Sequence, residues 1–236
     1  MDGLSEGMLY ARLMRCIVTA GPTFEPLDEV RRLTNFSTGR LGSELADALA
    51  ADGHEVVLLL GQMATFHGEP KVHRVEMFTT GADLQGRLQA LAKSSVGAVF
   101  HAAAVGDFAF GAVFASSPEG ELRRLRSGKF SSREGTLLAE LVPTPKLIGN
   151  LREWYPRALL VGWKYEVEGE QARVLAAAES QMTESRTDAC VANGPGYGGG
   201  FALVTKDGQS RHLPESKDLY AALRQLLQQG KDANQR

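Results

Sequence analysis

Two short runs rich in β-branched and apolar residues, R-C-I-V-T-A-G at 15–21 and H-E-V-V-L-L-L-G at 54–61, bracket a stretch in which Leu41, Leu45, Ala46, Ala48 and Leu49 recur at helical spacing. Strand, long loop, helix and strand in that order make a β-loop-α-β unit, whose crossover is right-handed and whose strands run parallel. That unit commits the chain to an α/β fold. The helix is expected to end near Ala51, closed by Gly53. Further along, V-H-R-V-E-M-F alternates apolar and polar residues as a strand near a sheet edge does, and G-A-D-L-Q-G-R-L-Q-A-L-A-K follows as an amphipathic helix. A-V-F-H-A-A-A-V is a fourth strand, and L-L-A-E-L-V, A-L-L-V-G-W-K-Y-E-V and D-A-C-V-A-N read as further strands with helices between them. An Asp207-Gly208 turn between two short β runs marks a hairpin before the closing helix K-D-L-Y-A-A-L-R-Q-L-L. The expected fold is a modified Rossmann-like parallel sheet with helices on both faces and a C-terminal β-hairpin.

The 236 residues, 43% of them hydrophobic, suffice for a sizeable core. One α/β domain is expected over 15–229, with a helical or disordered lead-in at 1–14 and a frayed tail at 230–236. Residues 109–136, rich in Gly, Ser and charge, read as an extended arm or a mobile loop. The 26 basic and 28 acidic residues nearly cancel, so no nucleic-acid footprint appears. No apolar run approaches a membrane span, and the acidic N-terminus is unlike a signal peptide, so a cytoplasmic protein without a membrane partner is expected. Cys16 and Cys190 lie in apolar runs and read as small buried hydrophobes.

Function concentrates in V-R-R-L-T-N-F-S-T-G-R-L-G at 30–42, where an irregular loop meets the first helix. Pro22 and Pro26 argue against regular structure in the preceding loop. Asn35, Ser37 and Thr38 carry short polar side chains of the capping kind, and Gly39 and Gly42 permit close backbone approach to a ligand. The free N–H groups of that first turn make an anion site, although spacing alone fits an ordinary N-capped helix equally well. Ligands of open α/β sheets bind at the carboxyl ends of strands, so the ends of strands one and four should face one crevice. Ala102, Ala103 and Ala104 leave room there.

Several machineries are missing. No G-x-G-x-x-G follows the first strand and no acid ends the second, which weakens a nicotinamide reading. Gly-Lys pairs at 128 and 230 are followed by Phe and Asp, so there is no P-loop. His54, His67, His73, His101 and His212 lack metal-ligand spacing and read as surface or strand-end histidines, and no G-x-S-x-G occurs.

T-A-G-P-T at 19–23, the 30–42 stretch, A-A-A-V-G-D-F at 102–108, G-K-F-S-S at 128–132, L-V-P-T-P-K at 141–146 and C-V-A-N at 190–193 together resemble the phosphopantothenate–cysteine ligase (phosphopantothenoylcysteine synthetase) family, in its monofunctional form. The resemblance implies a dimerising, modified dinucleotide-binding sheet. It also implies a ligase of coenzyme A biosynthesis that joins 4'-phosphopantothenate to L-cysteine through an acyl-nucleotide, releasing pyrophosphate. Carried over by motif, Gly21, Ser37, Gly39 and Gly42 would cradle the triphosphate, and Asn35 would contact the acyl group. Arg31 would reach phosphopantothenate across a dimer interface, with Ala103, Ala104 and Asp107 lining the same pocket. Lys129, on the arm, would stabilise charge during acyl-nucleotide formation, and Trp163 and Asn193 would meet the nucleotide. Mg2+ with ATP or CTP is the implied co-substrate, with no flavin and a separate decarboxylase protein acting downstream; the metal ligands are not implied. Bacterial fused enzymes carry K-I-K-K where this chain has K-F-S-S, and two lysines where it has Q-M-T-E-S-R-T, which leaves the choice between ATP and CTP open. The alternative is a non-catalytic nucleotide-binding Rossmann-like protein. V-A-N-G-P-G-Y-G-G-G has no counterpart in the resemblance.

Overall fold

Cys16, Ile17 and Val18 are wholly buried in β1 (Arg15–Ala20), the strand around which the computed structural model of the protein is built. The structure describes residues 13–233, and of 230–233 the backbone only, so most of the expected lead-in and the end of the expected tail lie outside the described residues. After β1 come β2 (Phe24–Pro26), β3 (Arg32–Thr34), α1 (Arg40–Ala51), β4 (Glu55–Gly61), β5 (Arg74–Phe78), α2 (Gly81–Leu91) and β6 (Ala98–His101). The second half holds β7 (Phe108–Ser116), β8 (Leu122–Leu125), β9 (Thr136–Pro143), α3 (Leu147–Trp154), β10 (Leu159–Tyr165), α4 (Gln171–Ser185), β11 (Ala189–Asn193), β12 (Phe201–Thr205), β13 (Ser210–Leu213) and α5 (Ser216–Ala233).

The main sheet has eight strands in the order β13-β12-β11-β10-β6-β1-β4-β5. From β5 to β11 every pairing is parallel, and β12 and β13 add the antiparallel hairpin. Strand order reverses between β1 and β6, so the crevice outside their carboxyl ends is the switch point of the sheet. Alternate β1 side chains enter opposite cores. Val18 packs with Leu45 and Leu49 of α1 and Leu219 and Leu223 of α5, whereas Ile17 packs with Leu84 and Leu88 of α2 and Leu147 and Leu151 of α3. A third cluster seats α4, through Val174 and Ala178, on Cys190 and Ala192 of β11. Helices therefore cover both faces, as the sequence pattern requires. Burial pushes the Cys190 thiol up to about 12, which makes it an inert filler.

Two segments differ from expectation. The loop with Pro22 and Pro26 contains an antiparallel hairpin, β2 with β3, because Pro26 closes its strand and the proline ring displaces no ladder bond that the short pairing needs. Within 109–136 there is also regular pairing that the sequence reading did not resolve: β7 pairs with β8 and β9 in a separate three-stranded antiparallel sheet. L-L-A-E-L-V is a strand of that sheet and not of the main one. In addition, α5 continues to Ala233, past the residue where fraying was expected.

Candidate functional site

At the switch point the chain leaves β1 through Gly21 and turns across the end of β6. Ala102 N–H donates to Thr19 O at 3.2 Å, Ala104 N–H to Gly21 O at 3.0 Å, and Thr23 N–H to Ala104 O at 3.1 Å. This ladder fixes the backbone of the Ala102–Ala104 segment as the crevice floor. Beneath it, the Thr19 hydroxyl accepts from Ala103 N–H at 3.1 Å and lies 2.9 Å from His101 Nδ1. Burial lowers the His101 pKa to about 4, so the ring is neutral and the floor carries no charge of its own.

Asn35 is brought to this floor. Its Nδ2 donates to Ala104 O at 3.3 Å, and the neighbouring Thr34 hydroxyl donates to Thr23 O at 2.8 Å. Gly21, Asn35, Ala103 and Ala104 therefore meet in one place, and Asn35 remains exposed.

The α1 junction departs from the capping scheme read in the sequence. Its N-cap is Gly39 at φ 81°, a left-handed conformation that a side chain would strain, and no side chain caps the helix. Thr38 Oγ1 takes Arg40 N–H at 3.3 Å, while the following first-turn amides of Leu41 and Gly42 receive no side-chain cap and have no acceptor within the helix. Those donors are the ones an anion would use. The glycines themselves answer to packing. A Cβ on Gly42 would lie 2.5 Å from Ala20 Cβ, and one on Gly39 3.0 Å from Ala64 Cβ, so neither position has room for a side chain. Ser37 is half-buried beside them, and Arg40 is held by Glu44 at 2.7 Å.

Arg31 and Lys129 form a second group. Arg31 Nη2 donates to Phe130 O at 2.8 Å, within its own chain, and Lys129 N–H donates to Ser127 Oγ at 3.2 Å. The Lys129 loop is thus docked on the β2–β3 hairpin. Asp107 pairs with Lys146, a residue inside the L-V-P-T-P-K motif to which the sequence reading gave no role. Thr144 ties the same loops together, donating from its hydroxyl to Gly106 O at 2.6 Å and from its N–H to Asp107 O at 2.9 Å.

Trp163 and Asn193 lie farther along the carboxyl edge, on β10 and β11. Trp163 Nε1 and Asn193 Oδ1 are both buried without a hydrogen-bond partner. A buried donor or acceptor left open costs about 1–3 kcal/mol. The glycine-rich 194–200 stretch now has a structural account: Gly196 N–H donates to Glu166 O at 3.0 Å, and a Cβ on Gly194 would lie 2.3 Å from that oxygen. The segment 165–168 and the start of α4 border an open cavity of about 420 Å³ lined by Tyr165, Glu166, Val167, Glu168, Arg173, Val174 and Ala177. Tyr197 anchors the stretch with its hydroxyl 2.9 Å from His212 Nδ1. Among the described residues no group of three or more His, Cys, Asp or Glu is placed to hold a metal ion, and no helix is long and apolar enough to cross a membrane.

Comparison with known proteins gives three findings. The model of a protein family described as the DNA/pantothenate metabolism flavoprotein C-terminal domain matches residues 12–228. The coenzyme A biosynthesis bifunctional protein CoaBC of Thermococcus kodakarensis is 31% identical over 181 residues, 76% of this chain and 41% of that protein. The chain spans less than half the length of the first curated relatives it matches. Among solved structures, the DNA/pantothenate metabolism flavoprotein of Streptococcus pneumoniae aligns with a TM-score of 0.79 at 24% identity, covering 91% of this chain and 98% of that one. The C-terminal domain of a CoaBC protein aligns with a TM-score of 0.71 at 25% identity, covering 93% and 96%.

Proposed function

The chain belongs to the DNA/pantothenate metabolism flavoprotein C-terminal domain family, and from that premise we propose that it joins 4'-phosphopantothenate to L-cysteine at the expense of a nucleoside triphosphate, in coenzyme A biosynthesis. The observation that carries the reading is the meeting of Asn35, Gly21, Ala103 and Ala104 at the switch point of a domain that the family model spans almost entirely.

In this reading a carboxylate oxygen of phosphopantothenate attacks the α-phosphorus of Mg2+-bound ATP or CTP. The bond from the α-phosphorus to the bridging oxygen breaks, and pyrophosphate leaves with that oxygen. The cysteine amine then attacks the acyl carbon, loses a proton, and expels the nucleoside monophosphate. Bringing two anions together costs energy unless donors and cations screen them. The uncapped first turn of α1, beside Gly21, Ser37, Gly39 and Gly42, supplies donors for the phosphates. Asn35 supplies an NH2 for the acyl oxygen as its charge grows, exchanging the Ala104 carbonyl for it. Lys129 supplies a positive charge, Asp107 contacts substrate once Lys146 releases it, and Trp163 and Asn193 meet the nucleotide at the carboxyl ends of β10 and β11.

The dimer belongs to the same proposal. Phe108, Leu138, Leu141 and Val142 are exposed on the small sheet, whose β9 edge is unpaired, and a second copy would cover them. Arg31 would then release Phe130 O to reach the partner's substrate. The domain acts over 15–229 and in the cytoplasm.

The test is pyrophosphate release by purified protein with ATP or CTP. Release that requires both phosphopantothenate and cysteine, from a species sedimenting at twice the chain mass, is expected. Nucleotide binding with no release under either nucleotide would replace this reading with that of a non-catalytic nucleotide-binding protein.

A further inference from the structure

Asp28 was given no role in the sequence, yet its carboxylate is the most heavily coordinated group near the site. It sits in a tight turn in which Leu27 N–H donates to Arg31 O at 2.8 Å. One carboxylate oxygen accepts from Val30 N–H at 2.9 Å and from Arg31 N–H at 2.7 Å. The other accepts from Phe130 N–H at 3.2 Å, across 102 residues of sequence, and lies 3.4 Å from Arg31 Nη1. The Asp28 side chain is completely covered.

Two more bonds close the same joint. Glu29 N–H donates to Gly128 O at 2.9 Å, and Arg31 Nη2 donates to Phe130 O at 2.8 Å. The residues on either side of Lys129 are thus both gripped by the turn at 28–31, and buried Phe130 pins the loop from below. The Lys129 ammonium itself stays exposed and makes no ion pair with an acid among the described residues. Backbone held and cation presented is the arrangement expected of a group that must be aimed. The same hairpin ends in Asn35, four residues beyond Arg31, so one short element carries both the clasp and the acyl-contacting amide.

We propose that Asp28 is a positioning residue: its buried carboxylate clasps the Gly128–Phe130 loop to the β2–β3 hairpin and so holds Lys129 in register with Asn35. This rests on the ligase reading for what Lys129 does, but not for the clasp. A carboxylate is required because three N–H donors and a guanidinium converge on it. An amide would keep one accepting oxygen and turn an NH2 toward a donor. A group serving stability alone would lower the folded fraction and leave the rate per folded molecule unchanged.

The test compares Asp28→Asn, Asp28→Glu, Lys129→Ala and the Asp28→Asn/Lys129→Ala pair. Hydrogen exchange of the 127–131 amides is measured, together with the rate of acyl-nucleotide formation per folded molecule. Asp28→Asn is expected to speed exchange of the Phe130 amide and to slow acyl-nucleotide formation about tenfold, with the nucleotide KM within about threefold. Asp28→Glu, which keeps the charge, should restore most of both. The pair should be no slower than Lys129→Ala alone, because a residue acting only through Lys129 has nothing left to act on. Unchanged exchange in Asp28→Asn, an unchanged rate, or multiplied effects in the pair would each overturn the proposal. If Asp28→Asn does not fold, Glu29→Pro removes the N–H that holds Gly128 O, loosening the joint from the other side, and is judged by the same criteria. The exchange measurement needs no turnover, so a protein without ligase activity would refute the ligase reading while still deciding the clasp.

Discussion

His101 shows how a single buried residue sets a pH limit. Burial lowers its pKa from 6.5 to about 4, and the ring lies 2.9 Å from the Thr19 hydroxyl. In the unfolded chain the ring takes up a proton near pH 6.5, whereas in the folded protein it does so only near pH 4. Unfolding therefore binds a proton across that window, and stability is full above it and declines as pH falls through it. The shift corresponds to about 3 kcal/mol. Chemical denaturation of His101→Gln at pH 7 and at pH 4.5 should show a smaller acid loss than the parent protein, and an equal loss would remove His101 as its source. The sequence placed His101 at a strand end but gave no sign of its burial, because burial there comes from Thr19 and Gly162 on the flanking strands, far away in sequence. Asn35 was legible because its motif is local. Asp28, Thr144 and Lys146 were not, since each acquires its partner only when the loops fold together.

At the scale of elements, the close seating of α1 on β1 decides where the helix amides point. Gly42→Ala would place a methyl 2.5 Å from Ala20 Cβ, a contact that only a shift of helix or strand relieves. Such overpacking costs about 1–3 kcal/mol. Thermal unfolding should show Gly42→Ala less stable, together with weaker nucleotide binding, because the displaced helix end no longer faces the crevice. Unaltered melting and binding would contradict the assigned packing. The parallel strands and their helices were legible because they are buried on one or both faces and keep a regular apolar period. The small sheet was not: L-L-A-E-L-V reads as a strand, but β8 and β9 are exposed over most of their length, and L-R-R-L and T-L-L-A-E-L-V-P keep no two-residue apolar period that would assign them a shared sheet. The β2–β3 hairpin escaped for another reason: with three residues per strand, it is too short for periodicity to register.

For the whole molecule, the strand order reversal between β1 and β6 makes a crevice, and the β2–β3 hairpin, the α1 junction and the Lys129 loop gather around that region of the sheet. In the proposed reaction this assembly bonds the carboxylate of one substrate to the α-phosphorus of the other. An oxygen label on the carboxylate follows that bond directly. Phosphopantothenate carrying 18O in its carboxylate, turned over with cysteine and ATP or CTP, should deliver one labelled oxygen to the nucleoside monophosphate and none to pyrophosphate. Amide product formed with an unlabelled monophosphate would contradict acyl-nucleotide chemistry in this crevice.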